Sequence, residues 1–333
     1  MMKARFGGLK ISSVGFYLPE KIISNQEISL RFGTSAELIY KKTGVRERRV
    51  TQPEIQTSDM AYEAAEKIFS EHPKLKEGIN ALLLVGHGFD YKAPVSSAII
   101  HEKLGLQKDC FVMDIPHGCT GYLYGLCVAK GLLNTGISSK VLLLTGDTPS
   151  FVIDQKEEEL VSLFGDGATA TILENSSGTD EHFVFGTDGS GFSDLIVERS
   201  GTRNPATLEW IKKTGMIHGK MKMNSAEIFT FALKNVPILI KDVLEKNSLT
   251  IDEIDYFVFH QANSFLLETL RRKIKIPEEK FFNNIVYTGN TVSSSIPLAI
   301  HQAEKNGALK RGMKVLLAGF GIGLTWGGTV INY

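Results

Sequence analysis

Cysteine is scarce in this chain: Cys110, Cys119 and Cys127 are the only three, close together and in no even framework. That usage excludes a disulfide-stapled secreted scaffold and suits a reducing compartment. Cys/His spacing of the zinc-site kind is also missing. No apolar run reaches the roughly 18–20 residues of a membrane-spanning helix. Met1 to Tyr17 carries basic residues without an apolar core or a small-residue cleavage site, so no secretory signal is expected. Net charge is absent too, with 37 Lys and Arg against 37 Asp and Glu. A neutral balance gives no argument for nucleic acid or an acidic membrane surface. The expectation is a cytoplasmic protein that binds neither.

The chain does have length and apolar content. Its 333 residues, 43% hydrophobic and 22% charged, suffice for two halves with substantial cores. Apolar runs such as Ala81–Val85 and Val141–Leu144 read as strands of a buried parallel sheet. Helical patterns separate them, at Ser58–His72, Pro94–Leu104 and Thr120–Leu133. Alternation of this kind means a layered α/β fold. The second part repeats the first. Asn80–Val85 matches Asp255–His260, Gly118-Cys119-Thr120 matches Gly289-Asn290-Thr291, and Val141–Leu144 matches Val315–Ala318. The reading is a duplicated fold with halves at 1–174 and 175–333. A pseudo-twofold axis would bring Cys119 and Asn290 face to face. His260 ends a strand, where open α/β sheets place ligands.

The stretch Asp114–Tyr122 organises the first half. The run Cys110–Met113 reads as a strand, Pro116 and Gly118 break it, and a helix follows Thr120. Cys119 thus stands at or just before a helix N-terminus, where unpaired N–H groups and the dipole favour an anion. The expected consequence is a thiol that ionises below the ~8.5 of a free cysteine, as a nucleophile requires. Taken alone, a cysteine here is more often a small buried apolar residue.

The surrounding motifs change that. His260-Gln261-Ala262-Asn263, Gly289-Asn290-Thr291 and Gly319–Gly327 resemble signatures of the β-ketoacyl-ACP synthase III family of thiolase-like condensing enzymes. Thr43–Arg48 and Phe164–Ala168 match the same family, and the resemblance runs from about Ile11 to the C-terminus. It implies a thiolase-like αβαβα fold, a homodimer and no cofactor, with acyl-CoA or acyl-ACP and malonyl-ACP as substrates. Cys119 would carry the acyl group, and His260 and Asn290 would donate to the malonyl thioester oxygen during decarboxylation. Backbone N–H groups of Cys119 and the Gly321-Ile322-Gly323 turn would form the oxyanion hole, although the family commonly has Gly where Ile322 stands. Phe320 would shield the nucleophile from water.

The resemblance also marks departures. Positions that clamp the nucleotide in coenzyme A-primed relatives hold Leu38, Lys42, Glu158 and Phe265 here. Arg271, Arg272 and Lys273 keep a basic helix face, suited to an acidic acyl carrier protein or simply to solvent. Short-chain members have Phe where Ala93 stands, so a deeper acyl pocket is expected unless a neighbour refills it. His117 either touches that pocket or caps its loop. A biosynthetic thiolase needs a second cysteine in the C-terminal half, and no Cys follows Cys127. A type III polyketide synthase shares Cys-His-Asn, but the Thr325-Trp326-Gly327 ending favours the ketoacyl synthase. A non-catalytic scaffold would normally have lost one of the three residues.

Overall fold

The computed structural model describes residues 7–177 and 181–333. Ten strands build its two main sheets. In chain order they are β1 (Gly8–Tyr17), β2 (Ala81–Val85), β3 (Phe111–Ile115), β4 (Lys140–Asp147), β5 (Gly167–Ser176), β6 (Val184–Thr187), β7 (Tyr256–Phe259), β8 (Phe281–Phe282), β9 (Lys314–Gly321) and β10 (Thr325–Asn332). The first sheet runs β1-β5-β4-β2-β3 and the second β6-β10-β9-β7-β8. Adding five to each strand of the first gives the second. The directions repeat as well: two antiparallel pairings, then two parallel ones.

Six helices complete the layers: α1 (Thr57–Glu71), α2 (Ser96–Lys103), α3 (Gly121–Asn134), α4 (Ser225–Lys246), α5 (Ser264–Ile274) and α6 (Ser295–Lys305). β2 and β4 are apolar on both faces because both faces are covered. Leu83, Leu143, Val258 and Leu317 point inward onto Tyr122, Leu126, Ile296 and Ile300 of α3 and α6. Leu82, Leu84 and Leu142 point outward onto Ala61, Ala64 and Ile68 of α1. Phe257, Phe259 and Leu316 meet Leu239, Ile240 and Leu267 of α4 and α5. The order is therefore αβαβα, the thiolase-like arrangement. Gly125 lets α3 approach closely, since a Cβ there would fall 2.6 Å from Leu143 Cδ1.

Several local expectations shift. The strand expected over Cys110–Met113 runs from Phe111 to Ile115, and the helix expected from Pro94 begins at Ser96, whose N–H donates to Asp114 Oδ2 at 2.7 Å. A 3-10 turn, Val292–Ser294, precedes α6. The Gly319–Gly327 motif is the bend between two long antiparallel strands, with Phe320 opposite Trp326. Strand β6, the ribbon Leu195–Val197 with Met221–Met223 and the helix Leu208–Thr214 had no periodic signature.

Candidate active site

The site forms where the carboxyl ends of both sheets meet the starts of α3 and α6. Cys119 lies just before Thr120, the N-cap of α3, and is only 5% exposed. Thr120 Oγ1 is hydrogen-bonded to Thr325 Oγ1 at 2.8 Å, which ties the nucleophile loop to the far side of the second sheet. The β9–β10 bend closes over the sulfur. A Cβ at Gly321 would fall 2.7 Å from Cys119 Sγ, and Gly321 adopts φ +154, so only glycine fits.

Burial governs the chemistry of the thiol. Desolvation pushes Cys119 up to about 12, while hydrogen bonds from the backbone N–H groups of Ile322 and Cys119 itself pull the other way. The helix-start expectation of a lowered thiol pKa is therefore corrected: desolvation, with the nearby Asp147 carboxyl adding to it, outweighs the two donors. The resting Cys119 is a neutral thiol whose sulfur lies beside two N–H donors.

His260 follows β7, with its N–H donating to Ala318 O at 2.8 Å. Its ring is buried and stands edge-on to Phe320 at 5.8 Å. Burial pushes its pKa down to about 3, so it stays neutral. Ser295 Oγ accepts from the Gln261 N–H at 3.3 Å and lies 2.6 Å from His260 Nδ1. In the tautomer that turns the Ser295 hydroxyl hydrogen toward Nδ1, the ring proton sits on Nε2, a donor for substrate.

Asn290 is fixed by its own amide. Oδ1 accepts from the Val292 N–H at 2.9 Å, and Nδ2 donates to Ala262 O at 3.3 Å. One amide hydrogen remains for a ligand. Gly289 turns the chain into this position at φ +66. A Cβ on it would fall 2.7 Å from Leu163 O and 3.2 Å from Arg48 Cβ. Arg48 is fully buried and donates to Asn25 Oδ1, Ser162 O and Ile23 O. The Arg46 and Glu47 N–H groups both donate to Val286 O. The Thr43–Arg48 motif is thus the brace of the Asn290 loop.

Cys119, His260, Asn290, Phe320 and Gly321 line one cavity of about 150 Å3. A second chamber, of about 440 Å3, meets it at Cys119, Phe164 and Leu195, and Ile322 lines it. Sequence reasoning missed Phe164 and Leu195 as walls; Phe164 sat inside a recognised motif, but Leu195 carried no signal.

Other expected residues lie elsewhere. Gly323 follows in the bend at φ +139 and lines neither cavity. His117 lines neither as well: its ring stacks on Tyr124 at 4.0 Å and its Nδ1 meets Thr120 Oγ1 at 3.1 Å. It caps the loop, and its placement in the acyl pocket is corrected. Ala93 is exposed on the surface and lines neither cavity of its own chain. Arg271 is no free cation, for it makes two bonds of 2.7 Å to Glu268 and one to Ile276 O. Arg272 is bonded to Glu268 but its side chain is 75% exposed, and Lys273 is exposed. The basic face is smaller than the sequence suggests, because Glu268 on the same helix neutralises part of it.

Comparison with known proteins fits this geometry. The family model for 3-oxoacyl-[acyl-carrier-protein (ACP)] synthase III matches residues 113–189, and that for its C-terminal part matches residues 244–333. A beta-ketoacyl-[acyl-carrier-protein] synthase III of Clostridium acetobutylicum is 35% identical over 329 residues, 98% of each chain. A crystal structure of a 3-oxoacyl-(acyl-carrier-protein) synthase III superposes with TM-score 0.93 at 38% identity, covering 98% of this chain and 100% of that one. The Thermus thermophilus synthase III superposes with TM-score 0.88 at 33% identity, covering 97% and 98%. The two matching five-stranded sheets agree with these superpositions, and the chain belongs to the 3-oxoacyl-[acyl-carrier-protein] synthase III family.

Proposed function

We propose that this condensing enzyme loads an acyl group onto Cys119 and joins it to a malonyl thioester with loss of CO2, the initiating step of fatty-acid synthesis. The observation that carries the reading is one cavity holding Cys119, His260 and Asn290 together. Cys119 Sγ attacks the donor thioester carbonyl. The developing oxyanion lies against the N–H groups of Cys119 and Ile322, and the thiol proton leaves on the departing carrier thiol. Loss of CO2 from the malonyl group then makes an enolate. His260 Nε2–H and the remaining Asn290 Nδ2–H donate to its oxygen. A neutral histidine suits this role, since it keeps its donor without placing a charge in an apolar cavity. The enolate carbon attacks the acyl carbonyl, the Cys119 sulfur leaves, and it regains a proton from water. Phe320, packed on His260, keeps water from the acyl-enzyme.

Two partners follow. An acyl carrier protein brings the thioester to the 150 Å3 cavity, which Asn263 and Leu266 line at the start of α5, and Arg272 and Lys273 are exposed in the last turn of that helix. A second copy of the chain pairs along β3. That strand is the edge of its sheet and exposes Phe111 and Met113, with Tyr91 and Val95 nearby. Exposed apolar edges of this kind are pairing surfaces. Intact-mass spectrometry with acyl-CoA and acyl-ACP donors tests the loading step. An acyl adduct mapped to Cys119 is expected, and an adduct that persists in Cys119→Ala defeats the reading.

A further inference from the structure

The chamber on the other side of Cys119 from His260 is not an apolar sleeve. Phe89, Phe151 and Val152 share its wall with His87, Ser200 and His218. His87 follows the carboxyl end of β2, and its backbone N–H donates to Asp147 Oδ1 at 2.9 Å. Its ring lies against the residue before the nucleophile: a Cβ on Gly118 would fall 2.5 Å from His87 Cε1 and 3.0 Å from Nδ1. The ring is exposed to the chamber and has no hydrogen-bond partner among the described residues. His218, from the loop opposite, donates from Nδ1 to Gly219 O at 3.0 Å, so its Nε2 is an acceptor.

We propose that this chamber selects an acyl group bearing a hydroxyl or oxo oxygen within a few carbons of the thioester, with His87 and His218 as its hydrogen-bond partners. The inference rests on Cys119 being the loading site. An unsubstituted alkyl chain filling the chamber would take water from both rings and return no partner. A hydroxyl or oxo oxygen restores one. The wall also decides against a carboxylate. Asp147 lies in it, with its oxygens taken by the His87 N–H, the Ser293 N–H and the Ser293 hydroxyl. No Lys or Arg lines the chamber among the described residues, and the His87 ring already faces the Asp147 carboxylate, so a ligand carboxylate would have to compete with Asp147 for it. The contact with Gly118 places the His87 ring at the thioester end of the chain.

The test compares rates of Cys119 acylation, read by intact mass, for carrier-bound butanoyl, 3-hydroxybutanoyl, 3-oxobutanoyl and succinyl groups. At least one oxygenated neutral group is expected to load about tenfold or more faster than butanoyl, the size of one retained hydrogen bond. His87→Leu lowers that ratio about tenfold, and His87→Gln, which keeps a donor and an acceptor, restores part of it. Butanoyl as fast as its oxygenated relatives, succinyl fastest, or a ratio unmoved in His87→Leu would each overturn the proposal. No adduct on Cys119 with any donor overturns the loading reading itself, and this inference with it.

Discussion

Phe164 and Asn290 form a single parallel bridge between the two halves: the Asn290 N–H donates to Leu163 O at 2.9 Å, and the Gly165 N–H to Asn290 O at 3.0 Å. A loop segment of the first half, just before β5, thereby holds the backbone of a catalytic candidate in the second. Its amide is already oriented by Val292 and Ala262, so little reorganisation is needed when charge develops on a substrate oxygen.

That placement separates the two half-reactions. Asn290→Ala and His260→Ala should still accept an acyl group on Cys119, whose oxyanion donors are backbone N–H groups. Both should lose malonyl decarboxylation by about 10²–10³-fold, the typical cost of one such donor. Released CO2 and Cys119 acylation, measured on the same preparations, decide it. Decarboxylation at the wild-type rate in both variants would remove the pair from the mechanism.

The protonation states predict a pH profile. The Cys119 thiol stands at about 12 and His260 at about 3, so no thiolate–imidazolium pair exists at neutral pH. The thiolate fraction should therefore rise about tenfold per pH unit from pH 6 to beyond pH 9. Iodoacetamide labelling of Cys119, followed at the peptide level, reads this directly. Peptide mapping is needed because Cys110, pushed up to about 11 by burial, also reacts as the pH rises. A plateau between pH 6 and 8 would show an ionised thiol and contradict the neutral resting state.

The thiol shows what sequence could and could not convey. The meeting of Cys119, His260 and Asn290 in one cavity was legible because their motifs recur at matching places in a duplicated chain, and a duplication predicts convergence. The two sheets were legible for a related reason: β2 and β4 are continuous apolar runs, which only a doubly covered sheet explains. Depth was not legible. The helix start before Thr120 suggests an acidic thiol, but burial to 5% exposure outweighs the local donors. Pairing on one helix surface was not legible either: Glu268 holds Arg271 on the same face of α5. Leu195 and His218 come from a segment without periodicity, and only tertiary folding carries them over the chamber.

Carrier choice follows from the positions that would meet a nucleotide. Leu38 and Lys42 are exposed, Phe265 stacks on Phe229 at 5.8 Å, and Glu158 accepts from Thr34 Oγ1 at 2.8 Å. None offers an arginine for nucleotide phosphates. An ACP-bound acyl donor should thus exceed the same acyl-CoA in kcat/KM by about tenfold or more. Arg272→Glu with Lys273→Glu should lower ACP use and leave CoA use near its starting value, since exposed charges mainly govern encounter. Arg271→Ala should instead cost stability through its lost bonds to Glu268 and Ile276. A CoA preference in the wild type would defeat this reading.

Acyl-chain length is set by what reaches the 440 Å3 chamber. Ala93 is exposed beside β3, in the turn held by the Ser96 and Ser97 N–H groups on Asp114. If a second copy pairs along β3 as proposed, its own residue 93 would reach toward this chamber. A phenylalanine there would occupy much of the space, whereas the methyl group of Ala93 leaves it open. Phe89 already forms part of the wall, and the volume is what remains with that ring in place. Each further methylene buried gains roughly 0.8 kcal/mol, about fourfold in affinity. Acyl groups of four or more carbons should therefore load Cys119 faster than acetyl. Ala93→Phe should shift the optimum back toward acetyl and leave loading of acetyl itself little changed. Rates across a two-to-ten-carbon series, on wild type and variant, check both statements. If acetyl is the fastest donor and the Ala93→Phe profile matches the wild type, the chamber is not filled by the acyl chain and residue 93 does not bound it.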